Sequence, residues 1–266
     1  MTPRGALARV TGRLRRTAER ALDRRYGVAT STHVYLEDLG LETENRVWHD
    51  PSDWVAARRA LARLNVTPDD VFVDYGSGLG RAVLVAASFP FRKVIGVELS
   101  GELTEQAREN LARNAHRVRA AEVELVAADA LEWPVPPDLT VAYLYCPFTG
   151  DVFDRVLAKL FESVDEHPRP LRMVYNYPLE HSRLIRTGRA HVLDVRSSAW
   201  LSRSRWGPEA IVTYLLLPQD ESLRREYVAQ YPQHVAGAEQ WLGEYEPGYI
   251  LEKPARLGGV VVDRRQ

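Results

Sequence analysis

The sequence predicts an α/β protein: a doubly wound sheet of seven strands, mostly parallel, with an antiparallel closing hairpin and an N-terminal helical lid. Three observations predict it. From residue 66 onward, short apolar runs alternate with stretches of helical period. Gly76, Gly78 and Gly80 follow the first apolar run directly, where a strand must turn into a helix. Two further apolar runs, 191–195 and 210–217, have no helical stretch between them and suit a hairpin.

The elements follow in order. A helix over about 52–64 precedes the sheet, with Trp54, Leu61 and Leu64 inward. VFVDY (71–75) reads as a buried strand and LGRAVLVAAS (79–88) as the helix after it. KVIGVE (93–98) is the second strand. Ser100 then caps a helix whose apolar stripe is Leu103, Ala107 and Leu111. VELVA, just before Asp129, is the third strand, and WPVPPD (133–138) is a loop, because proline supplies no ladder donor. LTVAYLY (139–145), apolar or aromatic almost throughout, is a fourth and central strand covered on both faces. VFDRVLAKLFESV is a helix, LRMVYNY (171–177) a fifth strand, and HVLDV (191–195) with AIVTYLLL (210–217) the hairpin. Repeated strand–helix units make the sheet Rossmann-like, with strand ends along one edge where ligands bind. The organisation is a basic helix and lid over 1–65, a cofactor-binding domain over 66–217 and a C-terminal extension over 218–266.

With 266 residues, 45% of them hydrophobic, the chain can bury a large core. A net charge near -1 argues against nucleic acid as the partner, and no apolar run approaches the ~18 residues of a membrane span. Cys146 is the sole cysteine, which excludes an internal disulfide and a cysteine-built metal site, and a cytoplasmic location is the simplest reading. Residues 1–25 depart from the average, with eight arginines against Glu19 and Asp23. Leu7, Val10, Leu14, Ala18 and Ala21 recur at helical spacing, so this is an amphipathic helix with a basic face. It suits packing on the main domain or on the mate in a homodimer. An RNA- or membrane-touching arm and a targeting peptide are the competing readings.

The glycines alone suit any tight strand–helix turn, and three acids narrow the choice. Asp74 stands inside the first strand, two residues before Gly76. A carboxylate there would repel a pyrophosphate but suits an amino group. Glu98 ends the second strand, placed to accept from two ribose hydroxyls. Asp129, in VAADAL (126–131), follows the third strand, placed to accept from an adenine amine. The spacing is G-x-G-x-G and not the G-x-G-x-x-G of dinucleotide folds. Together these features suit S-adenosylmethionine, which carries a cationic amino-acid end, a ribose and an adenine, and no phosphate.

VDYGSGLGR, VIGVELS, AADAL and YLYCPF, in order and at these intervals, resemble class I S-adenosylmethionine-dependent methyltransferases over about residues 45–217. DYGSGLGR with FRKVIGVELS is similar to a bacterial subgroup with a histone-lysine-methyltransferase-like glycine loop. The resemblance implies that Asp74, Gly76, Ser77, Gly78 and Gly80 line the methionine end. It places Glu98 and Leu99 at the ribose and its neighbourhood, Asp129 and Ala130 at the adenine, and Tyr145 beside the cofactor. HDPSDW (49–54) stands where the subgroup has an aromatic-x-Pro-Ser/Thr stretch touching the cofactor, with His49 in the aromatic's place.

YLYCPF (143–148) closes the fourth strand where many relatives present Asn-Pro-Phe or a similar run to a substrate amine. A thiol is a poor acceptor, so Cys146 weakens amine gripping, unless it is simply a small buried residue. Methylation of carbon, oxygen or a ring nitrogen gains accordingly. Tyr35, Trp48, Phe148 and Tyr177 are further candidates to line a pocket for a small, flat aromatic acceptor, such as an indole-bearing natural product in secondary metabolism. Tyr26, at the Gly27 helix break, and His181, after the fifth strand, are candidate bases or orienting groups, each with packing as the plain alternative. No carboxylate cluster near YLYCPF suggests a metal. A protein- or RNA-modifying methyltransferase and a non-catalytic cofactor-binding protein are the competing functions.

Overall fold

A computed structural model describes residues 17–32, 34–41, 44–47, 51–197, 210–232 and 235. Leu7, Val10, Leu14, Trp48 and His49 therefore lie outside the described residues. Residues 17–26 form helix α1, and a 3-10 turn spans Leu36–Leu39. The sheet elements and their helices are α2 (Trp54–Ala62), β1 (Val71–Tyr75), α3 (Arg81–Ala87), β2 (Lys93–Glu98), α4 (Gly101–Arg113) and β3 (Glu122–Ala127). They continue with β4 (Val141–Tyr145), α5 (Gly150–Glu166), β5 (Leu171–Asn176), α6 (His181–Arg186), β6 (Ala190–Ser197), β7 (Ala210–Leu216) and α7 (Glu221–Gln230).

The seven strands lie in the order β3-β2-β1-β4-β5-β7-β6. β1 to β5 run parallel, while β7 pairs antiparallel with both β5 and β6. The expected doubly wound sheet and closing hairpin are what forms. The chain winds outward from β1 in one direction and from β4 in the other, so a crevice opens at the carboxyl ends of those two strands.

Alternation along the strands fills two cores. From β1, Val73 and Tyr75 face α5 and α6, where Phe153, Val156, Leu160 and Leu184 are buried. Phe72 faces the other layer, against Leu61 after Trp54 on α2, Val83 and Leu84 on α3, and Ala107 on α4. Each such large apolar side chain contributes roughly 1.5–3 kcal/mol on burial. Asp53 caps α2 by accepting from the amides of Val55 and Ala56, and Ser100 caps α4 by accepting from that of Leu103. α7 lays Tyr227 on Leu193, Leu215 and Leu217 of the hairpin region.

The first helix turns only part of its expected apolar face inward. Ala21 is exposed and Ala18 half-buried, whereas Asp23 is buried and Glu19, Leu22 and Tyr26 are half-buried. The reason is Arg81, buried at the start of α3. Its guanidinium donates to Glu19, Asp23, the hydroxyl oxygens of Thr30 and Ser31, and the Ser52 carbonyl. Asp23 also accepts from Thr30, the Ser31 amide and the Trp54 indole. Burial pushes the Asp23 carboxyl up, but the Arg81 charge and those three hydrogen bonds outweigh it and hold it below the usual range. A buried cation with acidic partners sets this helix's rotation, where sequence periodicity alone favours the small apolar residues.

Candidate functional site

One pocket sits at the crevice. Asp74, Gly76 and Ser77 reach it from β1, Val97, Glu98 and Leu99 from β2, and Ala128, Asp129 and Ala130 from β3. Tyr145, Pro147 and Phe148 reach it from β4 and Val152 from α5, while Leu36, Arg46, Val47, Pro51 and Ser52 cover it from the N-terminal segment. Three carboxylates, from the ends of three adjacent strands, therefore face one space.

The glycine loop is tight and inward-bonded. Gly76 has φ +75, and a Cβ there would stand 2.6 Å from the Pro147 side chain, so only glycine lets this loop meet the β4 loop. The Gly76 and Ser77 amides donate to the Val97 carbonyl at 2.9 and 3.1 Å, and the Gly80 amide donates to the Ser77 carbonyl at 2.8 Å. The Gly78 amide donates to the Glu98 carboxylate at 2.8 Å. Phosphate-binding loops work by offering free amides to the anion, and these four amides are already committed. The cations lining the pocket are committed too: Arg81 to Glu19 and Asp23, and Arg46 to Asp129 at 2.7 Å.

Burial acts strongly on the acids. Asp74, enclosed between Gly96 of β2 and Tyr143 of β4, is pushed up to about 8 by burial and then by the nearby Glu98 charge. Glu98 is raised by burial, partly offset by the amides of Ser100 and Gly78. A carboxyl held in this way gains from a ligand that brings a positive charge and loses from one that brings phosphate.

Residues 55–129, from α2 to the Asp129 loop, match the family model described as histone methylation protein DOT1. Over those residues the chain is similar to that methyltransferase family. A protein-lysine N-methyltransferase of Saccharolobus islandicus (strain REY15A) is 35% identical over 75 residues, covering 28% of this chain and 47% of the relative. The chain thus spans about half the length of that curated relative. Among solved structures, an RNA methyltransferase from Salinibacter ruber in complex with S-adenosyl-L-homocysteine is 22% identical, covers 64% of this chain and 95% of its own, and has a TM-score of 0.43. Haemonchus contortus phosphoethanolamine N-methyltransferase 1 is 15% identical, with 67% and 47% covered and a TM-score of 0.48.

Of the expected cofactor residues, Asp74, Gly76, Ser77, Glu98, Leu99, Asp129, Ala130 and Tyr145 line the pocket. Gly78 and Gly80 act one layer back: Gly78 anchors Glu98, and Gly80, at φ +81, starts α3. Pro51 and Ser52 of the HDPSDW stretch also line the pocket.

The acceptor side departs more from expectation. Phe148 lines the pocket, but Cys146 does not. At φ 41 its thiol turns into the core beneath, where burial pushes it up to about 12. The Pro147 carbonyl accepts from the Val47 amide at 3.0 Å. Tyr177 sits behind Tyr145, ring centroids 5.5 Å apart, and is not among the lining residues. Tyr35 precedes the 3-10 turn whose Leu36 takes the lining position.

Neither expected base reaches the pocket. Tyr26 stacks on Trp54 at 4.3 Å with the Arg117 guanidinium over its ring, because the Asp23–Arg81 network pins the end of α1 there. His181 is 1% exposed on the far side of β5, its Nδ1 2.6 Å from the Tyr214 hydroxyl of β7. Sequence reasoning missed Arg46 and Arg81. A lone arginine in a loop and one after Gly80 carry no spacing signal, since their partners are distant in sequence. Among the described residues no group of three or more His, Cys, Asp or Glu could hold a metal ion, and no helix is long and apolar enough to cross a membrane.

Proposed function

We propose that the chain transfers a methyl group from S-adenosylmethionine to a small, flat, apolar acceptor at carbon, oxygen or a ring nitrogen. The observation that carries the cofactor half is the donor set of the pocket. Three carboxylates face it, while the Gly76, Ser77, Gly78 and Gly80 amides and both lining arginines are engaged internally. This suits a ligand with an ammonium, a ribose and an adenine, and not a pyrophosphate. In this reading Asp74 and Gly76 hold the methionine end, Glu98 the ribose hydroxyls, and Leu99, Asp129 and Ala130 the adenine. Glu98 accepts one amide on each carboxylate oxygen, which leaves each oxygen capacity for a hydroxyl.

The cofactor supplies a methyl group already activated on a positively charged sulfur. The protein's share is to align the nucleophile, exclude water and receive a proton where one leaves. Tyr145 and Phe148 provide the aromatic wall, and an aromatic face beside a positive sulfur contributes roughly 0.5–2 kcal/mol. Tyr145 takes the orienting role expected of Tyr26, being the titratable group of the lining on the β4 side. The Cys146 thiol, turned into the core, presents no side-chain acceptor for an amine at that edge, which supports a flat apolar acceptor.

A second reading, methylation of a protein lysine, is favoured by the DOT1 match over residues 55–129 and by the name of the Saccharolobus islandicus relative. Labelled S-adenosylmethionine tests both in one reaction with a cell extract divided into small-molecule and macromolecular fractions. Label in aromatic small molecules supports the first reading. Label confined to protein overturns it in favour of the second.

A further inference from the structure

We infer that Arg46 is a positioning residue for cofactor recognition, holding Asp129 in the orientation that distinguishes adenine from other bases; this rests on the cofactor reading above. The Arg46 side chain is 11% exposed, and its Nη2 donates to Asp129 Oδ2 at 2.7 Å. The other carboxylate oxygen, Oδ1, accepts from the Leu131 amide at 2.9 Å. Two donors on two oxygens fix the plane of the carboxylate, and each oxygen keeps capacity for one more hydrogen. Asp129 lines the pocket, so that remaining capacity can serve an amine there.

Arg46 is itself held by the backbone. It forms an antiparallel bridge with Phe148. The Val47 amide donates to the Pro147 carbonyl at 3.0 Å, and the Thr149 amide donates to the Asn45 carbonyl at 2.8 Å. Asn45 takes a left-handed φ of 55, and its Oδ1 fills the place where a Cβ on Gly150 would stand, 2.6 Å away. Gly150 begins α5 and donates its amide to Glu180 at 2.8 Å. Residues 45–47 are thus a strap seated on the β4–α5 loop. The strap carries one cation across the pocket to the β3 loop. In this arrangement the adenine side and the acceptor side of the pocket share one mechanical link, and Arg46 is its end.

The test uses two ligands: S-adenosylhomocysteine, and its inosine analogue, in which an oxo group replaces the 6-amino group. Calorimetry on Arg46→Ala should show S-adenosylhomocysteine weakened about tenfold, the scale of one charge-assisted hydrogen bond. The inosine analogue should change less than about twofold, so that discrimination between the two falls by nearly the same factor. Arg46→Lys should recover part of the discrimination, and Arg46→Ala combined with Asp129→Ala should bind no more weakly than Asp129→Ala alone. Gly150→Ala, which disturbs the strap's seat without touching the ligand, should lower discrimination in the same direction. Unchanged discrimination in Arg46→Ala, or equal losses for both ligands, overturns the role of Arg46 and leaves the cofactor reading standing. A wild-type protein that binds neither ligand overturns the cofactor reading itself, and is seen before any substitution is made.

Discussion

Replacing Asp74 with asparagine isolates the group that the fold has perturbed most usefully. Burial, and secondarily the charge of Glu98, push this carboxyl from 3.8 up to about 8. The unfolded chain gives up that proton near pH 4, whereas the native protein keeps it until about pH 8. The stability tied to this proton is therefore fully present below about pH 4 and is lost as the pH rises through 8. Four units at about 1.36 kcal/mol each set a ceiling of about 5 kcal/mol on that loss. Water entry and local relaxation bring the expected value nearer 1–3 kcal/mol. Asparagine keeps the shape and has no proton to lose, so Asp74→Asn should gain on wild type progressively between about pH 5 and 8 in denaturant titrations. A bound ammonium reverses the balance. It favours the ionised carboxylate, so ligand binding should release a proton, and wild-type affinity for S-adenosylmethionine should rise by up to tenfold per unit between about pH 6 and 8. In Asp74→Asn that slope should vanish and the affinity should be lower throughout. Parallel stability curves, or equal binding slopes in the two proteins, would refute the reasoning.

Glu98→Gln should weaken S-adenosylhomocysteine at least tenfold by removing a charge from the ribose hydrogen bonds. Glutamine keeps the side-chain size and one of the two amide hydrogen bonds, from Gly78 or Ser100, whereas alanine loses both; unchanged affinity in calorimetry would remove Glu98 from the site. Arg81→Met leaves the buried Asp23 without its cation and should cost roughly 3–5 kcal/mol in chemical denaturation, with a loss under about 1 kcal/mol contradicting the anchoring network. Cys146, with its thiol raised to about 12 and buried, should resist a thiol reagent at pH 8 in the native protein and react on unfolding. Tyr26→Phe keeps the stack on Trp54 and should leave cofactor affinity and turnover within about twofold of wild type, whereas a tenfold fall in turnover would return Tyr26 to the reaction.

The sheet was legible because its determinants are local. VFVDY and KVIGVE become strands over the residues predicted, 71–75 and 93–98, since their runs are short, apolar and closed by turn residues. β5 stops one residue early, at Asn176, because Tyr177 adopts φ 53, although its amide still donates to the Ala210 carbonyl of β7; no alternation pattern foretells that. The three acids of the pocket were legible for the same reason, each standing at the end of its own strand. What sequence could not supply is the direction of side chains after those ends. Cys146 turns inward because its backbone is left-handed, and Tyr26 is drawn to Trp54 because Arg81 pins α1 through Glu19 and Asp23. The Arg46–Asp129 pair joins residues 83 positions apart, which a single sequence gives no means of pairing.

The central claim is that three strand-end carboxylates and a glycine loop whose four amides at Gly76, Ser77, Gly78 and Gly80 are engaged hold S-adenosylmethionine and not a pyrophosphate cofactor. A calorimetric titration of the wild-type chain with S-adenosylhomocysteine, repeated with the dinucleotide NAD as competitor, tests it most directly. The account predicts saturable one-to-one binding of S-adenosylhomocysteine that NAD leaves unchanged. Displacement by NAD, or NAD binding in place of S-adenosylhomocysteine, would contradict it.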